Sequence, residues 1–259
     1  MIDTHCHLTF PRLADRLDEV LAAAHEAGVD RMITVGTTVD DAEGAQRIAE
    51  QHPHVHFAAG MHPHYAPDLN DQVLSRLIEL AAHQKCVAFG EMGLDYHYDD
   101  PPRDVQQACL SRQLAAIGHS NIDKPVVIHC RRAVDDTLAI IGESGLPGER
   151  FVFHCFTETP DDVRKVLDAG MMVSFTGIVT YKNAPEVRES ATLVPADRLM
   201  VETDAPYLTP EPHRKIRPNE PRYVTATARF LADLRSVAYD EFVQQCDTNA
   251  ERFYQLPVG

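Results

Sequence analysis

The sequence predicts a (β/α)8 TIM barrel, the α/β fold in which eight parallel strands alternate with helices around a closed sheet. Short apolar runs rich in β-branched residues alternate with stretches of helical period, eight times in succession. The length of 259 residues is also usual for this barrel and long for most other single domains. Because no linker or composition break is visible, we expect residues 1–259 to form one domain.

The apolar runs define the predicted strands. In chain order they are Ile2–His5, Arg31–Val35, Val55–Gly60, Val87–Glu91, Val126–His129, Phe151–His154, Met172–Phe175 and Leu199–Glu202. The stretches between them have amphipathic spacing, as in LADRLDEVLAAAHEAG, which ends at Gly28, a residue suited to a helix C-cap. TPDDVRKVLDAG opens with a helix start signal at Thr159. An extra C-terminal helical segment is predicted after about residue 221.

Composition and short motifs exclude several classes of protein. The chain has no GxGxxG motif and no P-loop motif, so the phosphate-binding turns of dinucleotide and nucleotide folds are missing. The net charge of −15 disfavours a general nucleic-acid or membrane surface, but not an enzyme that meets nucleic acid through divalent ions. The start lacks a signal-peptide pattern, no apolar stretch could span a bilayer, and the 6 cysteines form no CxxC pair. We therefore expect a cytoplasmic protein with no membrane association.

Histidines and carboxylates occur at the carboxyl ends of several predicted strands, where barrel enzymes place their chemistry. His5 and His7 are two residues apart, so both are expected to face the barrel mouth, with Cys6 facing the helix layer. Imidazole and carboxylate groups together suit Zn, Mn, Co or Fe, and a carboxylate-rich part can hold Mg. The other strand ends contribute Glu91, His129, His154, Glu202 and Asp204.

The size of this ligand set favours two metal ions, because one tetrahedral ion needs only about four ligands. Two ions about 3.5–4 Å apart, bridged by Glu91 and a hydroxide, would use the whole set. The expected cofactors are therefore two divalent ions, Zn, Mg or Mn, with no organic cofactor. One ion is expected to take His5, His7, Glu91 and Asp204, and the other to take Glu91, His129 and His154.

Other histidines and cysteines are interpreted as structural. The histidines within residues 52–56 also alternate, but they lie at the entry of the third strand, the end of a barrel that serves stability. Cys130 and Cys155 each follow a proposed ligand by one residue. Alternation along a strand is expected to turn both thiols away from the metals and into the packing.

Nine strings follow one another along nearly the whole chain. They are MIDTHCHL, GMHPHYA, GEMGLDYHYD, KPVVIHCR, FHCFT, SFTGIVTYKNA, VETDAPYLTP, NEPRYV and DTNAERFYQL. With these strings the sequence resembles the TatD-type deoxyribonucleases, a branch of the metal-dependent amidohydrolase superfamily. The resemblance implies a (β/α)8 barrel that hydrolyses phosphodiester bonds in DNA, as a 3′–5′ exonuclease on single-stranded ends with a role in DNA repair. The metal positions that it implies are His5, His7, Glu91, His129, His154 and Asp204.

The same resemblance implies contacts to the substrate. His62, with His64 beside it in GMHPHYA, is expected to hydrogen-bond the phosphate, although it could instead be an ordinary rim residue. Glu202 is either buried structure or a partner that orients the metals or water. After the eighth strand this chain departs from the family pattern, with Lys215 in PHRKIRPNEP where glycine is usual. The basic residues expected to meet the strand are Arg131, Arg214 and Arg217.

The expected reaction is two-metal hydrolysis of DNA. The bridging hydroxide would attack phosphorus in line, Asp204 would take its proton as general base, and His62 would help to offset charge on the phosphate. The alternative is a metal-dependent amide or ester hydrolase, such as an aminoacyl-tRNA deacylase or amidohydrolase, since similar ligands serve attack at carbon. A lysine at the end of the fourth strand would favour amide-type relatives, but Glu91 stands there. A non-catalytic metal-binding protein is a further alternative, which a ligand set with open coordination disfavours. The sequence leaves open the choice between DNA and RNA, between exonuclease and endonuclease cleavage, and the oligomeric state.

Overall fold

Eight parallel strands form one sheet whose order is the order of the chain, which confirms the predicted barrel. The structure is a computed structural model that describes residues 1–98 and 100–256. Residue 99 and residues 257–259, which belong to the predicted domain and in one case to the GEMGLDYHYD string, lie outside the described residues. The strands are β1 Ile2–Cys6, β2 Arg31–Gly36, β3 Val55–Ala59, β4 Cys86–Asp95, β5 Val126–Arg131, β6 Phe151–Phe153, β7 Met172–Phe175 and β8 Leu199–Val201.

The first and last strands close the ring. Cys6 of β1 forms a parallel bridge with Ala205, four residues beyond the end of β8. The His7 N–H donates to the Ala205 carbonyl at 2.7 Å, and the Asp204 N–H donates to the His5 carbonyl at 2.9 Å. The closure therefore sets the backbone of His5 and His7 directly against that of Asp204.

Helices follow each strand, as the alternation of periods predicts. The segment predicted as one helix up to Gly28 is divided in two, and Gly28 follows its end with φ +83°, which suits glycine. Thr159 caps its helix by accepting a hydrogen bond from the Asp162 N–H at 3.2 Å. The helices are α1 Pro11–Ala14, α2 Leu17–Glu26, α3 Val39–Gln51, α4 Asp71–Ala81, α5 Arg103–His119, α6 Val134–Ser144, α7 Pro160–Asp168, α8 Pro185–Leu193, α9 Val224–Leu234 and α10 Tyr239–Tyr254.

The apolar core has two layers because strand side chains alternate between the barrel interior and the helix side. The helix-side layer is rich in phenylalanine, including Phe57, Phe89 and Phe153. The interior layer contains smaller side chains such as Val35 and Val127, and it continues into C-terminal residues. These C-terminal residues are Ala250, Phe253, Tyr254 and Leu256.

The last helix, α10, closes the amino-terminal end of the barrel. The Ile2 N–H at the start of β1 donates to Asp247 of this helix at 2.8 Å. His56, near the start of β3, is half-buried at the same end of the sheet. None of the helices in the described parts of the chain is long and apolar enough to cross a membrane.

Candidate metal centre

Residues from five strands meet at the carboxyl end of the barrel. His5 lies within β1 and His7 just after it, Glu91 lies in β4, and His129 lies in β5. His154 follows β6 by one residue, and Asp204 follows β8 by three. The six residues predicted as ligands are therefore brought together around the side chain of Glu91.

Local irregularities in two strands aim these side chains. The pairing register shifts between Asp3 and Cys6 in β1, and again between Phe89 and Met92 in β4. Such bulges re-aim a side chain next to a functional site. In β1 the shift lets the neighbours Thr4 and His5 both reach groups in the barrel mouth, which strict alternation would not allow.

One oxygen of Glu91 faces three imidazoles. Glu91 Oε1 lies 2.8 Å from His154 Nε2, 2.9 Å from His129 Nδ1 and 3.5 Å from His62 Nε2. The Glu91 side chain is only 4% exposed, so these contacts are shielded from solvent. The third imidazole, His62, was predicted to touch substrate phosphate rather than Glu91.

The other oxygen of Glu91 faces a second group of atoms. Glu91 Oε2 lies 3.4 Å from His5 Nε2 and 3.9 Å from His7 Nε2, and these two nitrogens are 3.3 Å apart. Asp204 Oδ1 completes the group at 3.3 Å from His7 Nε2 and 3.8 Å from His5 Nε2. The two oxygens of Glu91 thus point at two separate sets of potential ligands, as a bridging carboxylate does.

The groupings differ from the predicted division at His154 and at His62, which joins Glu91 and His129. The His154 ring stacks on the His5 ring with centroids 4.0 Å apart and planes inclined by 7°, so it lies between the two sets. Three groups have all their ligand atoms within 4.8 Å of one another, close enough to hold a metal ion. They are His5, His7 and Asp204; His5, Glu91 and His154; and His62, Glu91 and His129.

Hydrogen bonds on the far side of the rings fix which nitrogen faces the centre. His7 Nδ1 contacts the Val35 carbonyl at 2.9 Å, so it must donate there, and neutral His7 presents the lone pair of Nε2. His62 Nδ1 accepts from the His64 N–H at 3.1 Å, so neutral His62 carries its proton on Nε2. His7 is therefore oriented as a metal ligand, whereas His62 is oriented as a hydrogen-bond donor despite its place near Glu91.

The electrostatics of the cluster suit divalent cations. Burial would raise the pKa of Glu91, but the surrounding imidazoles, His154 first, hold it well below its usual range. Burial would likewise lower the pKa of His7, but the adjacent Asp204 carboxylate raises it to about 9. A divalent ion would meet the nitrogen and oxygen lone pairs that converge here and would take the place of protons on the imidazoles.

Asp95 is a site residue that the sequence reasoning missed. Its Oδ2 lies 3.0 Å from His129 Nε2 and 3.4 Å from His64 Nε2, and the carboxylate is almost fully buried. A carboxylate on the second nitrogen of a metal-binding histidine fixes its tautomer and orientation. The signal was available, because Asp95 lies four residues after Glu91 on one strand and even spacing places two residues on one face.

Glu202 lies beneath the cluster and has four neighbours. It is 1% exposed and accepts hydrogen bonds from Ser174 Oγ at 2.6 Å, the Cys155 N–H at 2.6 Å and Thr4 Oγ1 at 3.3 Å. Its Oε1 also lies 3.3 Å from His154 Nδ1. Glu202 is therefore placed to orient His154 from behind, the second of the two predicted possibilities.

The thiols differ in burial. Cys6 and Cys130 are buried in the helix-side core, although Cys130 is also among the residues that line the cavity. Cys155 lines the cavity too but is only partly buried, and its thiol lies 3.4 Å from Thr176 Oγ1, so it is less completely packed than predicted. Strand β6 ends at Phe153 and Cys155 has φ +46°, so strand alternation no longer directs its side chain.

A cavity of about 1170 Å³ opens over the cluster at the barrel mouth. Its lining includes His62, His64 and Arg131, three of the five residues predicted to contact substrate. Arg214 and Arg217 are not among the described lining residues, but the Arg214 guanidinium lies 3.9 Å from the ring centre of Tyr181, which does line the cavity.

A parallel barrel whose carboxyl-end rim gathers histidines and carboxylates around one buried glutamate defines the class of metal-dependent hydrolases. Sequence comparison identifies the family within that class. The profile of the family described as TatD related DNase matches residues 2–255, and the chain belongs to this family.

Individual relatives agree with this assignment. The chain is 36% identical to the metal-dependent hydrolase YabD of Bacillus subtilis, with 99% of each chain covered. It is 35% identical to a protein of Erwinia billingiae named 3′-5′ ssDNA/RNA exonuclease TatD, with 100% of each covered. Among solved structures, YJJV of Escherichia coli K12, a TatD homologue, superposes with a TM-score of 0.92 at 29% identity, covering 99% of this chain and 98% of that one.

Proposed function

We propose that this chain hydrolyses phosphodiester bonds in single-stranded DNA or RNA, removing nucleotides from the 3′ end. The observation that supports this most directly is the position of Glu91, whose two oxygens face two separate sets of ligands. Paired divalent ions are the usual means of clamping both the attacking and the leaving oxygen of a phosphodiester. The names of the relatives from Erwinia billingiae and Pantoea vagans, both given as 3′-5′ ssDNA/RNA exonucleases, support the substrate and the polarity.

In this proposal the centre would take two ions, Zn, Mg or Mn. His5, His7, Glu91 and Asp204 would hold the first ion, and Glu91, His129 and His154 would hold the second. When bound, the ions supply positive charge for the phosphoryl oxygens and lower the pKa of water toward about 7.

The side chains of the chain supply proton transfer and orientation. His7 holds the pKa of Asp204 below its usual range against the opposite effect of burial, so this carboxylate is ionised at neutral pH and can accept the proton of the attacking water. His62 lines the cavity and carries its proton on Nε2, 3.5 Å from Glu91 Oε1, and this N–H could donate to a non-bridging phosphate oxygen of a bound substrate. Asp95 and Glu202 act as positioning residues for His129 and His154.

The domain organisation and the cellular location are also proposals. We propose that residues 1–259 act as one domain, supported by the family match over residues 2–255. Six free cysteines support the expected cytoplasmic setting. A role in DNA repair remains a prediction.

The test is a metal-resolved cleavage assay. Protein stripped of metal and reloaded with Mg²⁺, Mn²⁺ or Zn²⁺ is given single- and double-stranded oligonucleotides labelled at the 5′ end. We expect a ladder that shortens from the 3′ end, fast on single strands and slow on blunt duplex. Asp204→Asn should abolish it, whereas Asp123→Asn, a change at an exposed carboxylate remote from the cavity, should not.

The same assay includes amides, lactones and an aminoacyl-tRNA. Turnover of one of these substrates with no ladder from any oligonucleotide would overturn the proposal in favour of the amide or ester hydrolase. Internal fragments without a 3′ ladder would show that the protein is a nuclease but would contradict cleavage from the 3′ end.

A further inference from the structure

Three tyrosines stand around the mouth of the metal centre with their rings largely in solvent. Tyr65, Tyr98 and Tyr207 are 44%, 51% and 53% exposed, and all three line the cavity. Among the described residues five large apolar side chains are exposed, so the majority of them are concentrated at this one opening. Exposed apolar groups gathered at a site mark a binding surface, whereas scattered ones are ordinary.

Each ring touches a histidine of the site edge-on, with centroids about 6 Å apart. The pairs are Tyr207 with His7 at 6.4 Å and 69°, Tyr65 with His62 at 6.5 Å and 67°, and Tyr98 with His64 at 5.6 Å and 73°. A steep angle uses only the edge of one partner, so these imidazoles do not cover the tyrosine rings by stacking on them. The histidines thus hold the rings in place while leaving ring surface available to a ligand.

The rings belong to loops on one part of the barrel rim, two of them after the neighbouring strands β3 and β4 and one after β8, which lies next to β1. Tyr207 follows β8, Tyr65 follows β3 and Tyr98 follows β4. Phe10, which follows β1, packs against Tyr207 with centroids 5.9 Å apart and continues the series. The result is an aromatic arc on one side of the opening, beginning about 6 Å from the histidines of the metal centre.

Positive charge is scarce in the lining of the cavity, although Arg214 lies beside it, on the ring of the lining residue Tyr181. Among the described residues that line the cavity, Arg131 is the only lysine or arginine, and its guanidinium lies 5.7 Å from the ring centre of Tyr98. Asp41 and Glu186 line the same cavity. A groove that binds a nucleic-acid backbone along its length needs several cations, since each neutralised phosphate contributes to affinity. This cavity offers aromatic rings in their place.

We propose that Tyr65, Tyr98 and Tyr207 form a stacking subsite for unpaired bases, which holds the strand by its bases rather than by its phosphates while the terminal phosphodiester lies at the metal centre. This inference rests on the proposed function, because it assumes that the ligand is a single-stranded nucleic acid. Base stacking on aromatic rings tolerates any sequence, since every base has a flat π-face. A duplex keeps those faces covered, so the subsite would also select single strands.

The experiment measures binding, separately from cleavage. The wild-type protein reloaded with metal is titrated with a 5′-fluorescein 12-mer of thymidine whose phosphorothioate linkages slow cleavage, and binding is followed by fluorescence anisotropy. A second 12-mer carries abasic residues at its three 3′-terminal positions. Tyr65→Ala, Tyr98→Ala and Tyr207→Ala are introduced one at a time into the same background, with Tyr98→Phe as the conservative variant.

We expect each alanine change to raise the Kd for the full 12-mer by about 5- to 100-fold, the range for losing one stacked base. The abasic 12-mer should bind weakly to the parent protein. Each alanine change should lower its affinity little further, because the base that would stack on the ring is already missing. Tyr98→Phe should restore binding, since the ring stacks without its hydroxyl. Tyr239→Ala is the matched control, because Tyr239 begins α10 at the other end of the barrel and its ring lies under Arg229.

Salt dependence gives a second measure. With Arg131 in the lining and Arg214 beside it, log Kd should change with log salt concentration by a slope of about 0.7 to 1.4, as one or two phosphates are neutralised. A slope of about 3 or more would overturn the stacking subsite and indicate a backbone groove instead. Equal binding of the full and abasic 12-mers, or of the parent and all three alanine variants, would overturn it as well.

The outcomes separate this inference from the proposed function. If the wild-type chain cleaves no oligonucleotide but the 12-mer binds in a ring-dependent way, the subsite stands and the nuclease proposal falls. If cleavage occurs and the alanine variants bind normally, the nuclease proposal stands and the subsite falls. If the 12-mer does not bind at all, the subsite is overturned.

Discussion

The two ends of this barrel are made by the same strands and have opposite chemistry. At the amino-terminal end, apolar side chains such as Met200 pack against Phe253 and Leu256 of the C-terminal segment. At the carboxyl end, the strands deliver histidines and carboxylates that are almost as deeply buried but find one another instead of apolar neighbours. The contrast shows that stability and chemistry are separated along the barrel axis, so changes at either end should have distinct consequences.

The largest expected effect follows from removing the carboxylate between the two ligand sets. Glu91→Gln should lower nuclease activity by about 10³-fold or more and reduce the bound metal, because the amide cannot bridge two cations. Circular dichroism should show an unchanged fold, since the amide has nearly the same shape. The matched control is Glu19→Gln on the exposed side of α2. Full activity in Glu91→Gln protein would contradict the bridging role.

A large change at the opposite end should affect stability instead. Phe253→Ala, in the apolar layer that α10 adds to the barrel interior, should lower the free energy of unfolding by about 3 kcal/mol. Activity at 25 °C should remain near wild type, because the ring lies at the far end from the metal centre. Urea unfolding followed by circular dichroism measures the first quantity, and the exposed Leu193→Ala serves as the control. Lost activity in protein that is still folded would show that the two ends are coupled.

A smaller effect is expected from the carboxylate behind His129. Asp95→Asn should weaken metal binding by about 10-fold and Asp95→Ala by up to about 100-fold, because the imidazole loses the partner that fixes its orientation. Competition with a chelating dye measures the affinity directly. Asp136→Asn is a suitable control, since Asp136 accepts from Tyr96 and lies outside the cavity lining. Unchanged metal affinity in both Asp95 variants would contradict the role of Asp95 in positioning His129.

The smallest expected effect is a pH dependence at the amino-terminal end. Burial, with help from Lys85 and Arg31, lowers the pKa of His56 to about 4 from its ordinary 6.5. The unfolded chain binds a proton on His56 more readily than the folded chain does. The contribution of neutral His56 to the free energy of unfolding is therefore fully present above pH 6.5 and is lost as the pH falls toward 4. Urea unfolding at pH 7, 5.5 and 4.5 should show that the free energy of unfolding falls less steeply with decreasing pH in His56→Gln than in wild type. The same pH dependence in both proteins would contradict the lowered pKa.

The parts of the site that lie on strands could be predicted from the sequence. The eight apolar runs fix which residues end each strand, and the barrel brings those ends together, so His129 and His154 could be placed without knowing any loop. Asp95 was overlooked because β4 extends four residues beyond its predicted end at Glu91. Knowing the true length of that strand would have placed both carboxylates on one face.

The parts that lie on loops could not be predicted in this way. Cys155 follows a strand that has already ended, and its left-handed backbone breaks the alternation on which its predicted burial depended. Arg214 was expected near phosphate because of its charge; it is not among the described lining residues, but its guanidinium lies on the ring of Tyr181, which does line the cavity. Loop side chains depend on contacts between distant segments, and periodicity contains no information about those contacts.

The closure between β1 and β8 has a consequence for the order in which the protein is made. Asp3 accepts from the N–H and hydroxyl of Thr203, 200 positions along the chain, and the next residue, Asp204, is held against the backbone of His5. On the ribosome, the two earliest histidines emerge long before the carboxylate that completes their set. A nascent chain therefore has no complete centre through most of its synthesis, and hydrolytic capability arrives only near the end of translation.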